Sequence, residues 1–284
     1  MSTQALITSR DPRGLHATGI FEAAYNKAQL DDARAQRLNE RGGELQAGIT
    51  RLITELTMPN QFFKEEVRSY YKYPKGYKIK AISEQANILR QLFPGIGLAD
   101  EKIAERPLPP NAKGWFAIPK WQMLAPTYGV AVEKVLAMIA SKRKFSNYQD
   151  GRLGSEYLQQ HDKTAKMFRK LSDEQKDFDI IVVPAQFGLR HKGLSVRRAR
   201  EVFVANEFGL GAFAIGIMLL THPEREIRWE QLHIDCAGDV YVANSDDCFL
   251  RSPSFHFLGG GLRFDVRKIN DANYYFGAAS AFLP

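Results

Sequence analysis

Cysteine is almost missing from this chain. Of 284 residues only Cys236 and Cys248 are cysteines, too few for the disulfide framework on which small secreted domains rely. Long apolar runs are missing too. The longest, Phe208–Leu220, has 13 residues, three of them glycine, against the roughly 17–25 that a membrane-spanning helix needs. Met1–Thr18 holds no apolar stretch of the kind a secretory leader carries. Together these absences predict a cytoplasmic protein with no membrane span. Several catalytic signatures are absent as well: a phosphate loop ending in Gly-Lys-Ser/Thr, a hydrolase nucleophile elbow, a zincin helix and the kinase loops. Helix-turn-helix spacing and the aromatic signature of RNA-recognition domains are not found either. No motif points to a cofactor, and none fixes the oligomeric state.

What is present is an ordinary globular composition, 44% hydrophobic and 25% charged. The net charge of +7 is unevenly spread. Gln61–Lys80 carries six Lys/Arg and two Glu, and Ser141–Lys170 carries eight Lys/Arg and three acids. Gly188–Arg200 carries five Lys/Arg and no acid, whereas Trp229–Pro284 reverses sign with seven acids against four bases. A basic region of this kind suggests an anionic partner, either nucleic acid or a phosphorylated ligand.

Periodicity predicts an α+β fold. An N-terminal helical region leads into a mixed α/β core that ends in an antiparallel β-hairpin or meander. Phe21, Ala24, Tyr25 and Ala28 recur at helical spacing after Thr18, and Leu45, Ile49, Leu52, Ile53 and Leu56 share one helix face. Thr127 opens a further helix lined by Ala131, Val132, Val135, Leu136 and Ile139. Another is expected from about Gly154 to Leu171, with Tyr157, His161, Ala165 and Phe168 on one face. Tyr77–Ala81 and Trp115–Ile118 are short strand candidates, and the β-branched run Asp179–Pro184 marks a buried strand. Leu210–Leu220 fits a buried strand or a buried helix equally. Alternation on both sides of Gly259-Gly260-Gly261 predicts the hairpin. The divisions expected are a flexible N-terminus over 1–17, a helical region over 18–93, a proline-rich linker or long loop over 94–114, and an α+β core over 115–284.

Three sets of residues carry possible chemistry. In the first, Gly188–Arg200, a strand leads through a glycine-containing loop to a helix start at Ser195, where free N–H groups and the helix dipole favour an anion. Arg190, Lys192, Ser195, Arg197 and Arg198 would hold it; Arg197 and Arg198 stand in the first helical turn, where positive charge is otherwise unfavourable. The alternative is that Arg198 and Arg200 pair with Glu201 or Glu207. In the second set, Lys64, Arg68, Lys72 and Lys75 interleave with Tyr70, Tyr71 and Tyr73, the combination of phosphate-neutralising cations and stacking rings that meets single-stranded nucleic acid. Its alternative is tyrosines half-buried beside solvated lysines.

The third set lies toward the C-terminus: His222, His233, Asp235, Cys236, Asp239, Asp246, Asp247, Cys248 and His256. On a strand His233 and Asp235 would share a face with Cα atoms roughly 6.5–7 Å apart, suited to acid–base work on a phosphorylated substrate together with His191. The cysteines stand singly rather than in Cys-x-x-Cys pairs, which argues against zinc, so no metal is expected. Three functions remain open: a nucleic-acid- or phosphate-associated protein, an enzyme acting on a phosphorylated substrate, and a non-catalytic assembly protein using the apolar 208–220 segment.

Overall fold

The computed structural model describes residues 7–57, 61–225, 227–242 and 250–284. The fold is α+β, with N-terminal helices followed by a strand-rich C-terminal region. It divides into two compact units, Met1–Leu56 and Thr57–Pro284.

The first unit consists of α1 (Pro12–Lys27), α2 (Asp32–Glu40) and α3 (Gly42–Leu56). Pro12 opens α1, where its missing N–H costs nothing. The Asp31 carboxylate caps α2 by accepting from the Arg34 N–H at 2.8 Å. None of the described residues of this unit is buried. Helix α1 begins within the stretch whose composition suggests loose order, and Gly42-Gly43 opens α3 directly after α2 ends at Glu40.

The second unit opens with an irregular ribbon over 61–80, followed by α4 (Ile82–Leu92). The proline-rich stretch 94–114 lies inside this unit. There Ile96 and Ile103 join the core, and Asp179 accepts from the Gly97 N–H at 2.8 Å. The chain continues through β1 (Gly114–Pro119), α5 (Tyr128–Lys142), β2 (Phe145–Asn147), β3 (Leu158–Gln160) and α6 (Asp162–Glu174). Next come β4 (Ile180–Gln186), α7 (Val196–Glu201), β5 (Glu207–Gly209) and α8 (Ala212–Thr221). The remaining strands are β6 (His233–Asp235), β7 (Asp239–Tyr241), β8 (Arg251–Leu258), β9 (Gly261–Lys268), β10 (Phe276–Ala278) and β11 (Ser280–Phe282).

One sheet has the order β1-β4-β11-β5, antiparallel throughout. β4 is buried along its whole length, as its β-branched run requires. Pro119 closes β1, an edge strand where a missing N–H is tolerated. The second sheet runs β10-β6-β8-β7-β3, with β9 pairing β8 and β2 pairing β9. The β8–β9 hairpin turns on Gly259 and Gly260, whose φ values of 64° and 76° suit glycine. β10 and β11 are separated only by Ala279, so one extended stretch passes from the second sheet into the first. A single apolar cluster accordingly runs from Phe116 and Ile181 to Ile234, Phe255 and Phe264.

Two segments differ from the periodicity. Leu210–Leu220 resolves as helix α8, every residue of which is buried, so it shows no polar face for periodicity to register. The helix expected from Gly154 begins only at Asp162, because Leu158–Gln160 pairs with Tyr241–Asp239 as β3. His161 therefore stands at the helix entrance rather than on its apolar face. Tyr77–Ala81 has no strand partner.

Candidate nucleic-acid interface

The ribbon at 61–80 has no regular structure of its own, yet its backbone is tied down at successive points. The Ser195 N–H donates to the Glu65 carbonyl at 3.1 Å, and the Val67 N–H donates to the Gly193 carbonyl at 2.8 Å. The Leu232 N–H donates to the Lys72 carbonyl at 3.0 Å, and the Tyr73 hydroxyl accepts from the Phe187 N–H at 2.9 Å. Ser69 bonds the Tyr274 carbonyl. The ribbon passes so close to the 188–195 loop that a Cβ on Gly193 would meet the Val67 carbonyl oxygen at 2.1 Å; its φ of 81° needs glycine in any case. The two basic stretches of the sequence, 64–75 and 188–200, are thus brought together.

Where they meet, three of the loop's five cations, Arg190, Arg197 and Arg198, are matched by carboxylates. Both Glu65 oxygens accept from the Arg197 Nε, at 2.9 and 2.8 Å, and Glu65 also accepts from the Ser195 hydroxyl at 2.7 Å. The hydrogen bond from Arg197 holds the Glu65 carboxyl below its ordinary pKa. Arg198 pairs with Glu66 and, at 2.7 Å, with Glu201. Arg190 reaches Glu207 at 3.2 Å, and His191 Nε2 meets the same carboxylate at 2.6 Å. Ser280 donates to Glu207 at 2.6 Å. Burial pushes the Glu207 pKa up, but the His191 and Ser280 bonds and the Arg190 charge outweigh it, leaving a net downward shift. Lys192 donates to the Tyr71 carbonyl at 3.4 Å, and Arg200 to the carbonyls of Ala237 and Asp239 at 2.9 and 2.6 Å. Ser195 caps α7 as expected, accepting from the Arg198 N–H at 3.1 Å, but that helix is only six residues long.

The outer face of the ribbon is different. Lys64, Arg68, Lys72 and Lys75 are exposed and form no ion pair among the described residues. Phe63 and Tyr70 are 56% and 69% exposed, and Tyr274, whose carbonyl Ser69 bonds, is 53% exposed. The Arg68 guanidinium sits 5.0 Å from the Tyr70 ring centre, Lys64 Nζ 5.8 Å from that of Phe63, and the Arg197 guanidinium 4.3 Å from that of Phe62. Half-buried Tyr71 leans on Tyr274 and Tyr275, with ring centres 5.9 and 6.1 Å away. Tyr73 turns inward, toward Tyr77, Phe187 and the buried Arg225 guanidinium 4.5 Å from its ring. Beside Arg197 lies a crevice of about 210 Å³ lined also by Arg251, Lys268 and Asn270. Arg251 stands directly opposite Lys268 across β8 and β9.

The sequence reading omits Phe62, Phe63, Tyr274, Arg251 and Lys268. The two phenylalanines are adjacent to Lys64 and extend its pattern. Tyr274 and the β8–β9 cations reach this surface only through long-range packing.

The third candidate set does not gather into one site. His233 is buried against Tyr275, Phe276 and His256, and burial lowers its pKa to about 3. Asp235, two residues on, is engaged by Arg267 at 3.0 Å, and His191 belongs to the Glu207 cluster. His222 accepts from the Lys80 N–H at 3.1 Å, and burial lowers it to about 4. Cys236 is a buried free thiol. Asp246, Asp247 and Cys248 lie outside the described residues. Among the described residues there is no group of three or more His, Cys, Asp or Glu placed to hold a metal, and no helix long and apolar enough to cross a membrane. Comparison with known protein families, curated proteins and solved structures finds no match to this chain.

Proposed function

We propose that the second unit binds single-stranded nucleic acid along the outer face of the 61–75 ribbon. The observation that carries this reading is the pairing of exposed rings with cations that have no carboxylate partner. Lys64, Arg68, Lys72 and Lys75 alternate with Phe63 and Tyr70, and exposed Tyr274 packs against Tyr71. Cations of this kind release counterions when they meet phosphates, and the rings offer faces on which unpaired bases stack. Arg197 and Arg198 serve mainly to pin the ribbon, because Glu65, Glu66 and Glu201 already neutralise them, and Arg190 is neutralised by Glu207.

The test is fluorescence anisotropy with labelled single-stranded and double-stranded oligonucleotides of equal length, titrated over a salt series. Tighter binding of the single strand is expected, since a duplex keeps its base faces stacked and out of reach. No binding even at about 50 mM salt, where phosphate-driven affinity is strongest, would overturn the proposal. Binding of an acidic polypeptide with the same affinity as the oligonucleotide would redirect it to an acidic protein partner.

A further inference from the structure

Remote from the ribbon in sequence, a cavity of about 410 Å³ opens between the end of β1, helix α6 and the start of α8. Its volume lies in the range of small-molecule sites. Ile118, Ile181 and Phe213 line it with apolar surface, and Trp121 and Phe168 add aromatic walls. The Trp121 and Phe213 rings bracket Tyr128, their centres 6.0 and 6.5 Å from its own. An aromatic body would therefore meet both ring faces and ring edges.

Two polar features stand in this apolar lining. One is Tyr128, whose hydroxyl donates to the buried Asp239 carboxylate at 2.8 Å. The other oxygen of Asp239 accepts from the Ala212 N–H at 2.6 Å and so caps α8. Gly211 makes this meeting possible: a Cβ there would lie 2.2 Å from Asp239 Oδ1 and 2.5 Å from the Tyr128 hydroxyl. The Phe213 backbone also bonds this hydroxyl, which leaves one lone pair to accept a further donor. The second feature is Arg169, exposed on α6 at the rim and in no ion pair among the described residues. Asp173, one turn further on, shares the rim and would hold back a second negative charge. Lys120 is already committed, donating to the Gln175 carbonyl at 3.0 Å.

We infer that this cavity binds a small aromatic monocarboxylate whose ring carries a hydrogen-bond donor, the carboxylate on Arg169 and the ring donor on the Tyr128 hydroxyl. The aromatic lining selects the body. Arg169 selects a single negative charge with matching planar geometry. Tyr128 selects the donor.

The test uses 3-(4-hydroxyphenyl)propanoate as probe, with 3-phenylpropanoate and 3-(4-hydroxyphenyl)propanamide as comparisons. Binding is followed by calorimetry and by quenching of tryptophan fluorescence, to which Trp121 contributes. The hydroxy acid is expected to bind best, with about a tenfold loss on removing either the ring hydroxyl or the charge. Arg169→Gln, a surface change that leaves the fold intact, should abolish the preference for acid over amide. Ala165→Phe, which fills the cavity, should remove binding altogether while circular dichroism stays unchanged. Equal affinity for the three probes, no binding at millimolar concentration, or binding that survives Ala165→Phe would each overturn the assignment. None of these outcomes bears on the ribbon, so the two proposals stand or fall separately.

Discussion

The loop at 188–200 carries five cations and no acid, the ribbon at 61–75 four cations and two acids; they meet in the folded chain, yet the arginines of the loop and the cations of the ribbon end in opposite states. In the loop, Arg190, Arg197 and Arg198 face the carboxylates of Glu207, Glu65, Glu66 and Glu201. Two of those four carboxylates come from the ribbon itself, and their use in the seam leaves Lys64, Arg68, Lys72 and Lys75 with no acid beside them. Counting cations along a sequence therefore does not show which of them carry an unmatched charge. What matters for an anionic partner is which cations remain unmatched once the chain has paired its own.

The sharpest way to break this comparison is to attack the buried end of the seam. Glu207→Ala leaves His191, Ser280 and Arg190 without their shared acceptor at a fully buried position. A loss of about 3–5 kcal/mol is expected, read as a lowered urea midpoint. An unchanged midpoint would show that the seam does not hold the second unit together.

Acid titration probes the same interior at the next scale down. Burial depresses His233 to about 3 and His222 to about 4, so the unfolded chain takes up these protons first, near pH 6.5. Stability should then fall as pH drops from about 6.5 toward 4, by on the order of 1 kcal/mol per pH unit for each histidine. Asp239 opposes the trend. Burial raises its pKa to about 7, so it gains stability as pH falls from about 7 toward 4. His233→Phe, which keeps a ring among Tyr275 and Phe276, should make the fall with acid visibly shallower in urea melts taken at several pH values.

Smaller effects belong to single surface residues. Tyr70→Ala and Tyr274→Ala should each weaken single-strand binding roughly tenfold, the scale of one lost base stack, without altering the salt dependence or the melting temperature. Arg197→Gln should cost about 1 kcal/mol of stability or less, because its pair with Glu65 is partly solvent-exposed. It should leave oligonucleotide affinity within a few-fold of the wild type, as anisotropy would show.

The sequence makes much of this legible wherever the physics is local. The buried run of β4, the Thr127-capped helix α5 and the glycine turn of the β8–β9 hairpin follow from spacing and turn chemistry. So does the pair of Arg198 with Glu201, three residues apart on one helix. The pairs of Glu65 with Arg197 and Glu66 with Arg198 span 132 residues, and no local pattern announces them. The inward turn of Tyr73 and the arrival of Tyr274 beside Tyr71 depend in the same way on packing between distant strands. Composition alone can suggest that 64–75 meets nucleic acid; it cannot tell which of its rings point outward.

The salt dependence of single-strand affinity tests the unmatched cations of the ribbon most directly. Replacing Lys64, Arg68, Lys72 and Lys75 together by glutamine should make the slope of log affinity against log salt shallower by about 3, close to 0.7 for each lost phosphate contact on a single strand. The melting temperature should stay close to that of the wild type, since no ion pair of the described structure is broken. A slope identical to that of the wild type would contradict the account and return the loop cations to first consideration.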